Sequence, residues 1–110
     1  MDNYLSPNTT LFCPSIISLE HASAELEKLY KNAKEEIDYA IESQGSIYYE
    51  GDRTTAFTAV EICEQKYKTV MQVFGESTHG IKFKFCWELD LHQLRLQLSL
   101  LPEVTHSIYQ

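Results

Sequence analysis

Apolar residues recur along this chain in two long stripes. Between Leu19 and Ala40 they fall at Leu19, Ala22, Leu26, Leu29, Ala33, Ile37 and Ala40; between Ala56 and Phe74 they fall at Ala56, Val60, Cys63, Tyr67, Val70 and Phe74. Steps of three and four place such residues in a narrow seam along one side of a helix, the spacing of a coiled coil. The pattern predicts one helix over residues 16–43 and a second over 46–74. Ser18 is a candidate N-cap, with Glu20 in the first turn where the macrodipole favours an acid. Glu25, Glu27, Lys28, Lys31, Lys34, Glu35 and Asp38 give the first helix a mixed-sign solvated face. The two helices are separated by Ser43-Gln44-Gly45-Ser46. Gly51 falls inside the second, where glycine costs roughly 1 kcal/mol relative to alanine. Ile47, Tyr48 and Tyr49 are costly to leave in a loop, which favours starting the second helix near Ser46 despite that glycine. Gly75 supplies a natural stop after Phe74.

Beyond Gly75 the pattern changes. Ile81, Phe83, Phe85, Trp87 and Leu89 alternate with polar neighbours, which is the period of a strand. Trp87, Leu91, Leu94, Leu98 and Leu101 also keep steps of four and three, which is the period of a helix. The expectation is a strand over 80–86 and a helix over 88–101, stopped by Pro102. The chain is thus organised as an N-terminal tail (1–15), a two-helix hairpin (16–75), a C-terminal element of strand or helix type (76–101) and a tail (102–110). The fold class is all-α: an antiparallel helical hairpin or coiled-coil bundle with a shorter third element.

Composition narrows the function. Nine basic residues stand against 16 acidic ones, for a formal charge of −7. No basic face is visible to neutralise phosphate, which argues against nucleic acid and against direct docking on anionic lipid. Cys13, Cys63 and Cys86 are odd in number and widely spaced, unlike a disulfide framework. With no leader-like apolar segment near Met1 and no run long enough to span a bilayer, the cytosol is the expected compartment. Membrane association is expected only as a peripheral one, through partners.

Candidate chemistry is sparse. His79, Cys86 and His92 match no zinc spacing, so no metal is expected. Cys63 lies on the second seam, where a thiol is ordinarily apolar filler rather than a nucleophile. Glu25, Glu27, Glu35, Glu36 and Asp38 lie along one amphipathic helix, the arrangement of a solvated face rather than an acid/base pair. The four glycines are isolated, so there is no phosphate loop. The chain is expected not to be an enzyme and to need no cofactor or small-molecule substrate. Tyr30, Tyr39, Tyr48 and Tyr49 fit either an interface or the closed end of an intramolecular hairpin. The residues expected to bind partners, namely other helical subunits, are Leu26, Leu29, Ile37, Ile47, Tyr48, Ala56, Val60, Cys63, Tyr67 and Val70.

Ser43-Gln44-Gly45-Ser46-Ile47-Tyr48, with His21, Leu26 and Leu29 upstream and Ala56, Tyr67 and Val70 downstream, resembles subunit eight of the BLOC-one-related complex (BORC). The similarity covers residues 21–70 and departs after Phe74. It implies a non-catalytic helical subunit on the cytosolic face of lysosomes, in a complex that positions them through a small GTPase and kinesin. Gly45, Tyr48, Tyr49, Gly51-Asp52 and Ala56 are also similar to a tetratricopeptide hairpin or a microtubule-interacting-and-trafficking domain. That alternative implies a peptide-binding adaptor that folds alone.

Overall fold

The computed structural model describes residues 16–104, and the expected N-terminal tail lies outside them. Three helices follow one another: α1 (Ile16–Glu42), α2 (Tyr49–Phe74) and α3 (Thr78–Ser99). The fold is all-α, and every pair of helices packs together.

Both seams point inward. Leu26, Ala33 and Ala40 of α1 and Ala56, Val60 and Cys63 of α2 have no exposed surface, and Leu19, Leu29, Tyr67 and Phe74 pack against them. The alanines let the α1 and α2 backbones run close together, and the larger residues fill the space between. Full burial of a side chain such as Leu26 or Ile37 contributes about 1.5–3 kcal/mol.

The α1–α2 connection is a turn through Gly45, whose φ of 84° lies in the left-handed region that glycine tolerates best. Ser46 completes it: its hydroxyl donates to the Ser43 carbonyl at 2.7 Å and accepts the Tyr48 amide at 3.1 Å. These bonds satisfy backbone groups ahead of the helix, so α2 begins at Tyr49 rather than at the expected Ser46. Of the three apolar residues before Gly51, only Tyr49 is buried; Ile47 and Tyr48 remain exposed in the turn. Likewise α1 starts at Ile16, which places Ser18 inside the helix rather than at its cap.

The expected strand over 80–86 is not there. Gly75 ends α2 with φ 53° and its amide on the Met71 carbonyl at 2.7 Å. Ser77 then caps α3, its hydroxyl accepting the Gly80 amide at 3.1 Å. From Thr78 the chain is helical to Ser99, so the third element is one 22-residue helix rather than a strand followed by a helix over 88–101. No strand exists among the described residues to pair with a strand at 80–86, whereas a helix satisfies its own amides and carbonyls.

Phe83 and Trp87 wedge α3 into the groove between α1 and α2. Phe83 stacks on Tyr67 of α2 at 5.9 Å between ring centroids. Trp87 meets Tyr30 of α1 edge-on at 5.7 Å, and its indole nitrogen donates to the Ser23 hydroxyl at 3.4 Å. Leu91, Leu94, Leu98 and Leu101 continue the same buried line. The expected tail from Pro102 is also partly taken up by the bundle: Tyr49 donates its phenol proton to the Pro102 carbonyl, and Val104 packs on the core.

Candidate interaction surface

The alternation read as one face of a strand becomes two faces on a helix. Residues two apart lie about 200° apart around a helix, while residues four apart share a side. Phe83 and Trp87 therefore enter the core, and Ile81, Phe85 and Leu89 point the other way. Leu96 and Leu100 extend that outer line, with His92 exposed between Leu89 and Leu96. Phe85 keeps 77% and Leu89 64% of its surface exposed. Large apolar side chains on both sides are the signature of a helix meant to be covered on both. The steps of four from Ile81 through Leu89 were visible in the sequence, masked by the coincident period of two.

A second apolar patch caps the turn end of the bundle. Tyr39 and Ile41 of α1 and Ile47 and Tyr48 of the turn are all exposed, Ile47 at 88%. Tyr39 and Tyr48 share an open hollow of about 500 Å³ with Glu42, Ser43, Ser46 and Asp52.

The residues expected to bind partners divide sharply. Leu26, Ile37, Ala56, Val60, Cys63 and Val70 are buried in the chain's own core, and Leu29 and Tyr67 are half-buried against it. Their faces are occupied by intramolecular packing. Ile47 and Tyr48 alone among the ten stand open to solvent. None of the five outer residues of α3 was read as part of a helical face: Ile81, Phe85 and Leu89 were read as strand positions, and Leu96 and Leu100 fall outside the line from Trp87 to Leu101.

Ion pairs brace the helices on either side of the core. Arg95 of α3 grips the Glu64 carboxylate of α2 with two guanidinium nitrogens, Nε donating at 3.0 Å. Glu64 in turn holds the Arg95 guanidinium more firmly protonated than usual. Lys66 of α2 donates to Glu25 of α1 at 2.6 Å, and this contact holds the Glu25 carboxyl below its ordinary range. The Arg53 guanidinium lies over the Phe57 ring at 4.8 Å, with its Nε buried and unpaired.

Burial, and then the charge of Glu64, pushes the Cys63 thiol up to about 11, so it stays protonated at neutral pH and is poorly suited to nucleophilic chemistry. Burial and then Glu88 raise the Tyr67 phenol in the same direction. Cys86 is exposed beside His79 and Lys82 at the rim of a hollow of about 210 Å³. Among the described residues no three histidines, cysteines or carboxylates converge as a metal would require. No helix there is long and apolar enough to cross a membrane.

Residues 20–103 match the family model of the embryogenesis-like protein helical domain. No curated protein and no solved structure matches the chain. The match takes in all of α2 and α3 and most of α1, including the segment after Phe74 where the likeness to BORC subunit eight stops. It corrects that resemblance, which rested on a short turn motif and scattered seam positions over residues 21–70, whereas this match runs through all three helices. The lysosomal location, the small GTPase and the kinesin rested on that resemblance and lose their ground with it. This chain belongs to the embryogenesis-like protein helical-domain family.

Proposed function

We propose that the chain is a non-catalytic helical assembly subunit that receives a partner helix on the outer face of α3. The observation that carries this reading is the line of five large apolar side chains opposite the core, Ile81 to Leu100. The line runs for about 29 Å at 1.5 Å per residue, which suits a helix laid along it better than a short peptide. Burial of the seams within one chain supports a module that holds its own shape and offers this separate face for assembly.

A photo-reactive residue placed at Leu89 in cells tests the reading, beside the same residue at exposed Lys28 on the outer face of α1. A discrete, larger cross-linked species from position 89 and none from position 28 is expected. Absence of cross-linking from both positions, or equal cross-linking from both, contradicts it.

A further inference from the structure

We propose that the helix received on this face is α3 of a second copy of the chain, packed antiparallel across a two-fold axis. The inference rests on the preceding reading of α3 as the assembly face and names its occupant.

Spacing is the first argument. The outer line runs Ile81, Phe85, Leu89, His92, Leu96, Leu100, in steps of four, four, three, four and four. That order is the same read from either end. A symmetric dimer interface must be complementary to itself under reversal, and this one is. With the axis passing between Asp90 and Leu91, Ile81 of each copy comes level with Leu100 of the other, Phe85 with Leu96, and Leu89 with His92. Each apolar side chain of the line except Leu89 meets an apolar one.

Charge is the second. The first turn of α3 carries no acid and its last turn no base, so neither end complements the helix's own dipole. Lys82 and Lys84 lie near the amino-terminal end, and Glu103 follows the carboxyl-terminal end. Antiparallel pairing brings Lys82 level with Ser99 and Lys84 level with Gln97 of the other copy. There the last carbonyls of the helix, and Glu103 beyond them, supply the missing negative charge. A parallel pair instead sets like ends side by side.

Area is the third. From their fractional exposures, the five apolar residues present roughly 600 Å² per copy, somewhat below the ~800 Å² each partner gives to a standard interface. That size fits a reversible dimer rather than a permanent one.

Sedimentation velocity on the purified full-length chain, over a hundredfold range of concentration, reads the dimer directly. Wild type should pass from one 12.7 kDa chain towards two as concentration rises. Phe85→Lys and Leu96→Glu, both at exposed positions, should each keep the helical circular dichroism of wild type and weaken dimerisation at least tenfold. Because Phe85 faces Leu96 across the axis, mixing these two variants should restore a dimer that neither forms alone, while Phe85→Lys mixed with Phe85→Glu should not. A wild type that stays monomeric throughout overturns the proposal, as does a dimer that the two single variants leave intact. A mixture that fails to restore pairing overturns the antiparallel register. If the chain is monomeric in isolation yet position 89 still cross-links in cells, the self-pairing fails and the assembly-subunit reading stands.

Discussion

At the residue scale, two glycines on helices carry opposite expectations. Gly51 lies in the first turn of α2 with open space where a side chain would go, so Gly51→Ala removes a backbone-entropy cost without a clash. It should stabilise the protein by about 0.5–1 kcal/mol. A Cβ at Gly80 would meet the Gly75 carbonyl oxygen at 2.5 Å and that of Phe74 at 3.1 Å, and backbone atoms there cannot swing aside. Gly80→Ala should destabilise by about 1–3 kcal/mol despite alanine's better helix propensity, because the α2–α3 corner must open. Denaturant titration of both variants checks the pair, and two shifts of the same sign contradict this packing. Cys63 gives a pH dependence. Its folded-state thiol ionises near 11 instead of its ordinary 9.0, so the stability gained by burying it neutral is fully present below pH 9 and is lost as pH rises through about 11. The stability difference between wild type and Cys63→Ala should therefore narrow over that window, and a constant difference would show that the thiol is not desolvated. The seam positions of α1 and α2 were legible in the sequence one by one, because steps of three and four mark them. Ala59 was not: it lies off the narrow stripe and is buried by the width of the packed face, whereas Tyr49 lies one heptad ahead of Ala56, on the line of Cys63 and Val70.

At the element scale, α1 and α2 follow their pattern because each has a single apolar side. Val60 lies in the middle of the α2 seam with no exposed surface, whereas Lys68 is solvent-facing. Val60→Asp strands a carboxylate among apolar atoms and should cost about 3 kcal/mol or more, while Lys68→Asp should stay within about 0.5 kcal/mol. Thermal unfolding of the two variants compares them, and similar melting points would mean that the seam is not a core. For α3, periodicity was ambiguous for a physical reason. Apolar residues at every second position from Ile81 to Leu89 satisfy a strand, and they equally satisfy a helix with two apolar sides. A local cap and the tertiary context decide between them: Ser77 caps the helix, and the α1–α2 groove accepts the Phe83–Trp87 wedge. Neither local polarity nor propensity in that segment carries this information.

At the scale of the whole molecule, three helices close one core, and α3 buries one apolar side in it and leaves the other, the proposed assembly face, exposed. Its inner leucines are covered by α1 and α2, and the Arg95–Glu64 pair ties it to α2. The all-α class and the hairpin were legible from the seams; the outer face of α3 was not, because Ile81, Phe85 and Leu89 were counted as one side of a strand and Leu96 and Leu100 lie off the line from Trp87 to Leu101. The seam residues expected to bind partners are used up in holding the bundle together, which moves the candidate site from α1 and α2 to the outside of α3. The size of the native assembly carrying the chain in cells, compared between wild type and Phe85→Asp, tests this division most directly. Phe85 makes no part of the core, so the variant should remain helical while the assembly falls to a single chain. An assembly of unchanged size around a helical Phe85→Asp chain would contradict the account.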